Sequence, residues 1–479
     1  MVIGELEQET EILVIGGGPG GYAAAFRAAD LGKEVTMVNM EDRPGGECLF
    51  RGCIPSKTLL FLSELMHDAS RARGMGISFG EPVIDLTSLR DWKNKVIDGL
   101  ADGLVNLCQK RDVQLIKGRV VFESSDKVRV QDSDISRIKY KHAILATGSS
   151  PAPFPGAPFE PGGRVMDSAG TLELADIPES LLVSGGGYIA LELGSVYASL
   201  GSRVTLAVRS DRLLRGADPD LVAPLIRRLK EIFEAIHYNT LAESIEETEK
   251  GVKVHFEGEI EQKEQTFDRM LIAIGRRPNS QDMGLENTGV RLDARGFVIV
   301  DEQQRTADKK IFAIGDVAGG LLLAHKALRE GKVAAETIAG EPAAFDVRAI
   351  PAVVYTDPQI AWAGLTEEEA KSKDIPVRVE RYPWKFSSRA VSMDTPDGLT
   401  KMIFDPETER ILGIGFCGRN AEGMISEGVL AIEMGALAQD VALTIHPHPT
   451  LSETVGESAE LFLGSVIHML PKKSKSKLI

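Results

Sequence analysis

The chain has 479 residues, of which 43% are hydrophobic and 26% charged, and its formal net charge is −15. This length favours roughly three domains rather than one core, and the composition is typical of a soluble globular α/β protein. The negative charge argues against nucleic acid or an anionic membrane surface as a partner, and the sequence shows neither a signal peptide nor an apolar run of membrane-spanning length, so we expect a cytoplasmic protein.

In chain order, the first predicted element is a buried strand at 11–15 that leads into a glycine-rich turn. Residues 22–29 are strong helix formers and 33–38 resemble a second parallel strand, which together predict a βαβ unit. The turn has the spacing of a dinucleotide fingerprint, whose members are Gly16, Gly18 and Gly21. Such glycines permit a tight turn, close approach of a pyrophosphate and close helix packing, so we expect a dinucleotide at this turn.

Two closely spaced cysteines, Cys48 and Cys53, follow the βαβ unit. The chain has four cysteines in all, too few for a disulfide framework, so a close pair favours catalysis or metal binding. The segment 45–57 contains no histidine, which disfavours a metal site and leaves redox catalysis as the preferred interpretation. Cys108 and Cys417 lie far away and are expected to be reduced residues that fill space.

The spacing of Cys48 and Cys53 predicts a distortion of the helix that carries them. On an ideal helix their Cα atoms would lie about 8.6 Å apart, whereas a disulfide prefers roughly 4.4–6.8 Å. Gly52 and Pro55 are residue types that allow the helix to bend here. A disulfide formed under such strain is easier to reduce.

A second βαβ pattern has a strand at 181–184, a glycine turn, a helical stretch that ends at Leu200 and a strand at 203–208. The fingerprint residues expected to contact its dinucleotide are Gly185, Gly187 and Ala190. Two dinucleotide sites in one chain predict a protein that moves hydride or electrons between them.

The order of these motifs resembles a known family. A fingerprint, Gly-Gly-x-Cys-x-x-x-x-Cys-x-Pro-Ser-Lys at 45–57 and a second fingerprint look like the two-cysteine flavoprotein disulfide reductases, which are the class I pyridine nucleotide-disulfide oxidoreductases. Further matches extend the resemblance over nearly the whole chain and make it most similar to the dihydrolipoamide dehydrogenases. These matches are Ala146–Ser149, Ile274–Asn279, Ala313–Asp316, Leu323–Lys326 and Thr444–Glu453.

The resemblance implies an α/β fold with two Rossmann-like dinucleotide-binding domains and a C-terminal α+β dimerisation domain. By this similarity the FAD-binding domain comprises 1–148 and 277–346, the NAD(P)-binding domain 149–276 and the interface domain 347–479. A helix is expected at 425–434, and the basic tail at 472–477 is expected to be a solvated end.

The resemblance also implies the roles of the reacting groups. Cys48 would exchange with the substrate sulfur, while Cys53 would face the flavin and form a charge-transfer interaction with it. His448 would be the acid/base, with Glu453 bonded to its imidazole, and it would act on the disulfide site of the other subunit of a homodimer. His446 is not expected to be the base, and an isolated His-x-His alone would favour a surface loop or a metal ligand.

The same similarity implies the residues that hold the cofactors. Lys57 would lie beside the flavin and pair with Glu192 across domains. The expected FAD contacts, besides the first fingerprint, are Asn39, Lys57, Thr147, Gly148, Arg276, Gly315, Asp316, Ala324 and His325. Asn39 stands where the family carries an acidic residue for the adenosine ribose, with Glu41 as an alternative, and Glu47 replaces a small hydroxyl residue before the first cysteine.

Arg209 is the second departure from the family pattern. It lies at the strand end where NAD-dependent relatives carry Glu, and a positive charge there suits the 2′-phosphate of NADP. Arg212 or Arg215 would add to that charge. Tyr188 and Ala190 also resemble the NADP-dependent glutathione reductases, and Tyr188 would lie at the nicotinamide pocket. Both NAD and NADP therefore stay open as the coenzyme.

The leading functional hypothesis from the resemblance is oxidation of free or protein-bound dihydrolipoyl groups, with a lipoyl-carrying protein as substrate. The alternatives are an NADPH-dependent disulfide reductase of the glutathione reductase type, which Arg209 favours, and a non-catalytic flavoprotein that partners a lipoyl carrier. Mercuric reductase and large thioredoxin reductase are less similar, since both use a further C-terminal redox pair and this chain has no cysteine after Cys417.

Overall fold

The computed structural model describes residues 7–157 and 159–470, so the basic tail at 472–477 lies outside the described residues. The strands are β1 Glu7–Ile15, β2 Val35–Asn39, β3 Gln114–Lys117, β4 Arg119–Ser124, β5 Lys127–Gln131, β6 Arg137–Leu145, β7 Ser149–Pro151, β8 Val165–Met166, β9 Ser180–Ser184, β10 Arg203–Ala207, β11 Ala235–His237, β12 Thr240–Thr248, β13 Gly251–Gly258, β14 Glu264–Phe267, β15 Arg269–Ile272, β16 Arg276–Pro278, β17 Ile311–Ala313, β18 Ala352–Val354, β19 Ile360–Gly364, β20 Arg378–Pro383, β21 Leu399–Phe404 and β22 Ile411–Cys417. The α-helices are α1 Pro19–Asp30, α2 Gly46–Arg51, α3 Cys53–Arg71, α4 Leu86–Lys110, α5 Ser168–Leu172, α6 Tyr188–Ser199, α7 Pro219–Ile232, α8 Ala324–Ala339, α9 Glu367–Ser372, α10 Ser388–Ser392, α11 Ala421–Met434, α12 Ala438–Ala442 and α13 Glu453–Leu463.

The chain divides into two compact units. The first comprises the described residues up to Leu59, together with Glu81–Asp176 and Ile272–Asp346. The second comprises Leu60–Gly80, Ile177–Leu271 and the described residues from Val347 onwards. Within the described residues, no helix combines the length and the apolar composition that a membrane span requires.

The first unit is built on a seven-stranded sheet of order β3-β2-β1-β6-β5-β4, with β17 paired to β6. The pairings among β3, β2, β1, β6 and β17 are parallel, whereas β4, β5 and β6 pair antiparallel. Leu13 and Val14 of β1 point to opposite faces and are both fully buried, as expected of a parallel strand covered on both sides. The predicted βαβ unit is confirmed as β1, α1 and β2.

The second unit contains the second predicted βαβ pattern as β9, α6 and β10, and β9, β10 and β11 pair in parallel. An antiparallel sheet of order β12-β13-β14 follows in the chain. Residues from 347 onwards form a five-stranded antiparallel sheet of order β18-β19-β22-β21-β20, and the helix expected at 425–434 lies within α11. The predicted α/β class with Rossmann-like units and a C-terminal α+β region is confirmed, whereas the three domain boundaries stay a prediction.

A buried ammonium group links parts of the second unit. Lys401 of β21 is 2% exposed, and its Nζ lies 2.8 Å from Asp218, 3.0 Å from Asp220 and 2.7 Å from Glu367. Burial opposes the charged form, but these three carboxylates raise the pKa of Lys401. Because Arg381 also pairs with Asp220 and Glu367, the start of α7 is tied to β20, β21 and α9 through charge.

Candidate active site

The two redox cysteines are brought together by a break between two helices. α2 ends at Arg51 and α3 begins at Cys53, so Gly52 alone separates them. A Cβ atom at Gly52 would lie 3.0 Å from the carbonyl oxygen of Glu47, which makes glycine the residue that fits this close approach. The distortion predicted from the cysteine spacing is confirmed, and Cys48 and Cys53 are hydrogen-bonded to each other as thiols.

The surroundings of Cys48 favour its neutral thiol over the thiolate. Its hydrogen bond with Cys53, together with burial, raises the pKa of the Cys48 thiol, and the positive charge of Lys57 opposes that rise. Burial raises the pKa of the Tyr22 hydroxyl on α1, and the nearby Cys48 and Cys53 add to that rise. Since only a thiolate exchanges with a disulfide, a nearby group has to remove the proton.

The start of α2 packs backbone against backbone with the glycine turn of the first fingerprint, residues 16–21, here called the dinucleotide loop. Gly46 has φ +59°, and a Cβ there would lie 2.6 Å from Cα of Gly18. Within the fingerprint, a Cβ at Gly21 would lie 1.9 Å from the carbonyl oxygen of Gly16. Gly18 precedes α1, and no side chain caps the helix there, so the first turn of α1 presents its amide groups to a ligand. This arrangement fits a dinucleotide diphosphate.

Asn39, which replaces the family's acidic residue, is held within the loop itself. Its Oδ1 accepts the N–H of Gly17 at 3.1 Å, and its Nδ2 donates to the carbonyls of Glu41 and Arg43, each at 3.0 Å. Glu41, the alternative ribose acceptor, is paired with Arg51 at 2.7 Å. Asn39 therefore shapes the dinucleotide loop through its own hydrogen bonds to Gly17, Glu41 and Arg43.

Arg276 and Asp316 are joined by Ser149. The Arg276 guanidinium donates to Oγ and to the carbonyl of Ser149, each at 2.7 Å, and Ser149 Oγ donates to Asp316 Oδ2 at 2.5 Å. Glu47 lies 3.5 Å from Arg276 and 3.3 Å from Arg51, so its carboxylate is flanked by two guanidinium groups. The charge of the Glu47 carboxylate, at the position where a hydroxyl was expected, is therefore balanced by Arg51 and Arg276.

The other expected FAD contacts also lie in the first unit. Thr147 Oγ1 donates to the carbonyl of Asn279 at 2.7 Å, and the Asn279 N–H donates to Gly148 at 3.0 Å. The N–H of Gly315 donates to buried Glu330 at 2.7 Å. Ala324 is the first residue of α8 and His325 the second. The bond from Gly315 to Glu330 thus holds the backbone next to Asp316.

The second fingerprint also opens a helix. Gly185 has φ +139°, Gly187 precedes α6 without a side-chain cap, and Ala190 is fully buried. Tyr188, at the first position of α6, is exposed. Glu192, 2% exposed, accepts the N–H of Tyr355 at 2.9 Å. The geometry fits a second dinucleotide at the start of α6.

The three arginines after β10 differ in their surroundings. Arg209 and Arg215 are exposed, whereas Arg212 forms an ion pair with Glu368 of α9. That pairing raises the pKa of Arg212 and holds its guanidinium against α9. Arg209 and Arg215 are thus the better candidates for contacts with a coenzyme phosphate.

His448 and Glu453 form the expected pair. His448 Nδ1 lies 2.8 Å from Glu453 Oε1, and Glu453 Oε2 accepts the N–H of Thr450 at 2.7 Å. An ionised carboxylate accepts hydrogen bonds only, so Nδ1 carries the proton and Nε2 is the ring nitrogen that keeps a lone pair. The His448 side chain is 66% exposed, which leaves it accessible to another molecule.

The cysteines and the FAD contacts lie in the first unit, whereas Glu192, the second fingerprint, His448 and Glu453 lie in the second. The Lys57–Glu192 pair and the meeting of His448 with the dithiol therefore stay predictions. Sequence reasoning assigned no role to Ser149, Glu330 or Glu427, the last of which is the partner of His446. For Glu330 the sequence carried a signal, the Lys-x-x-x-Glu spacing at 326–330, because residues four apart share a helix face.

Comparisons with known proteins place these features in one family. The pyridine nucleotide-disulphide oxidoreductase model matches residues 10–331, and the dimerisation-domain model of the same name matches 350–459. A dihydrolipoyl dehydrogenase of Vibrio parahaemolyticus is 43% identical over 98% of this chain and 99% of its own length, and one of Geobacillus stearothermophilus is 43% identical over 98% and 100%.

Solved structures agree with the sequence comparison. LpdA from Mycobacterium tuberculosis aligns with a TM-score of 0.87 at 26% identity, covering 94% of this chain and 99% of that one. The HOCl-induced flavoprotein disulfide reductase RclA from Escherichia coli aligns with a TM-score of 0.83 at 27% identity, with the same coverage. The chain therefore belongs to the pyridine nucleotide-disulphide oxidoreductase family.

Proposed function

We propose that this chain is a dihydrolipoyl dehydrogenase, which oxidises dihydrolipoyl groups to the disulfide and reduces NAD(P)+. The observation that carries the proposal is the contact between Cys48 of α2 and Cys53 of α3, next to Gly46, whose backbone packs against the first fingerprint. The relatives named above, which match along their whole length, carry that name and support this substrate.

The exchange needs two thiols of the substrate and the enzyme disulfide. His448 removes a substrate proton, and the thiolate attacks Cys48, so that Cys53 leaves as a thiolate. The second substrate thiol then displaces Cys48, closing the lipoyl disulfide and passing its proton to the departing Cys48 sulfur. Both electrons then reside in the enzyme dithiol, with one substrate proton on His448 and one on Cys48. Glu453 stabilises the imidazolium that forms on His448.

FAD is the cofactor that this site fits. The open end of α1 at Gly18 would hold the diphosphate, and Asp316, supported by Ser149, would hold the ribityl chain. Bound FAD supplies two-electron transfer between the dithiol and the nicotinamide coenzyme, giving NAD(P)H and a proton. Lys57, at the start of α3, would face the flavin with Glu192 as its counter-ion.

For the coenzyme, we propose that Arg209 lets the enzyme accept NADP(H) as well as NAD(H). Arg209 is exposed just after β10, and Arg215 is exposed six residues later. Arg209→Glu should lower kcat/KM for NADP+ by at least about tenfold and leave the value for NAD+ unchanged. The same change at exposed Arg227, on α7, is the matched control. Unchanged NADP+ kinetics in the first variant would refute the role.

The proposed assembly is a cytoplasmic homodimer in which His448 of one subunit completes the disulfide site of the other. The dimerisation-domain match and the exposure of His448 support it. The natural substrate would be a lipoyl group on a carrier protein.

The first experiment compares dihydrolipoamide, lipoamide and glutathione disulfide with each nicotinamide coenzyme. We expect turnover with the lipoyl compounds. Glutathione turnover alone would make the chain a glutathione-type reductase, and no turnover with any substrate would favour the non-catalytic alternative. Cys53→Ser should abolish both turnover and the long-wavelength absorbance of the reduced enzyme.

A further inference from the structure

A second histidine–carboxylate pair lies next to His448. His446 Nε2 lies 2.8 Å from Glu427 Oε1 of α11, and its Nδ1 lies 3.0 Å from the carbonyl oxygen of Thr444. A carbonyl always accepts, and an ionised Glu427 also accepts. A ring that satisfies both must therefore carry a proton on each nitrogen, which makes His446 an imidazolium.

The surroundings of His446 favour that charge. Its side chain is 9% exposed, whereas Glu427 is 36% exposed. The charged groups that face the ring are Glu427 from α11 and Glu453 and Glu460 from α13. The hydrogen bond to Glu427 is the main cause that raises the pKa of His446, against the effect of burial. The ring also packs on the backbone of α13, where a Cβ at Gly456 would lie 3.1 Å from Nδ1.

The backbone between the two histidines is stiff. Pro447 separates them and Pro449 follows His448, so both φ angles are restricted. Thr450 Oγ1 donates to the carbonyl of Pro447 at 2.7 Å, which closes the segment on itself. A shift of His446 would therefore move His448 with it.

We propose that the His446–Glu427 ion pair is the positioning device that anchors His448, and that loss of the His446 proton at alkaline pH releases this anchor. The inference rests on the proposed role of His448. Segment 446–450 then has two attachments: His446 holds it to α11, and Glu453 holds it to α13. Deprotonation of His446 removes one ring hydrogen bond and the charge attraction to Glu427. The attachment through Glu453 is left intact.

The test uses the FAD-loaded dimer of Glu427→Gln, whose amide oxygen can still accept from the ring but has no charge. The matched control is Glu243→Gln, which removes the carboxylate of an exposed pair with His255 at 3.0 Å, away from segment 446–450. kcat/KM for dihydrolipoamide is measured from pH 6 to 10. We expect kcat/KM of Glu427→Gln to begin its alkaline fall at a lower pH than the wild type. Above that pH, kcat/KM of the variant should be about 10- to 100-fold below the wild-type value. The control should match the wild type.

A readout that does not depend on turnover separates this inference from the proposed function. In histidine-labelled protein, 15N NMR near pH 7.5 should show a signal from His446 with both ring nitrogens protonated, beside any signal from His468, which pairs with Glu457, and Glu427→Gln should remove the His446 signal only. His446→Gln identifies the residue, since it should also lose it. The positioning role is overturned if the pH profile of Glu427→Gln superimposes on the wild type, or if its activity falls equally at every pH. If the wild type does not oxidise dihydrolipoamide, the proposed function fails, and the NMR signal alone decides whether the ion pair exists.

Discussion

Glu453→Gln is the substitution that most directly tests the acid–base pair. Glu453 uses both carboxylate oxygens, one for His448 Nδ1 at 2.8 Å and one for the Thr450 N–H at 2.7 Å. Glutamine has a single acceptor oxygen. If that oxygen stays on the Thr450 N–H, the amide group donates to Nδ1, and the ring proton then resides on Nε2, the nitrogen that has to take up the thiol proton.

The size of the effect follows from these two bonds. A hydrogen bond to a charged group contributes about 1.5–3 kcal/mol, so losing the carboxylate that stabilises the imidazolium should lower kcat/KM by about 10- to 150-fold. The wrong tautomer adds to this, up to the roughly 10⁴-fold that general-base catalysis can supply. Glu453→Asp keeps the charge and should retain more activity than Glu453→Gln.

The assay is dihydrolipoamide oxidation followed through NAD(P)H absorbance, with pre-steady-state reduction of the enzyme measured by stopped flow. The fall should appear in the reductive half-reaction, where the thiol proton moves, and FAD content should match the wild type. Equal rates for Glu453→Gln and the wild type would refute the pairing argument. A loss confined to the oxidative half-reaction would refute it as well.

Three other outcomes are expected. Cys48→Ser should abolish dithiol oxidation but keep the long-wavelength band of the reduced enzyme, and persistent turnover would overturn its role. Lys401→Met should lower the free energy of unfolding by about 3–5 kcal/mol in denaturant titrations. Lys401 helps to lower the pKa of Asp220 against the effect of burial, so this difference in stability from the wild type should shrink as pH falls below about 4. Gly46→Ala should weaken FAD binding at least about tenfold, whereas Gly32→Ala, also at positive φ but with open space at its Cβ, should not.

The features that could be predicted from the sequence are local ones. The apolar run before Gly16 specifies a buried strand, and the alanine-rich stretch after it specifies a helix, without reference to the rest of the chain. The break at Gly52 was equally local, because the spacing of Cys48 and Cys53 cannot be closed on a regular helix. Family resemblance then supplied the distant partners, including His448 with Glu453.

The features that escaped prediction depend on how distant segments meet. β21 places Leu399, Lys401 and Ile403 on one face, and a lysine among apolar residues in a strand is ordinarily expected to point to water. Its three carboxylates come from residues 218, 220 and 367, which only the folded chain assembles. Glu427 is likewise placed beside His446 by the packing of α11, and no spacing rule connects them.

Asn39 bears on how the holoenzyme is assembled. Its bonds to Gly17, Glu41 and Arg43 are all made by the protein, so the chain itself shapes the loop that receives the cofactor. A preformed loop loses little conformational entropy on association, and its encounter rate with FAD is set by diffusion and orientation rather than by loop folding. We therefore expect the residue at the end of β2 to favour capture of FAD by the newly folded protein, whereas the acidic residue that the family resemblance implies at this position would act as a ligand of the ribose.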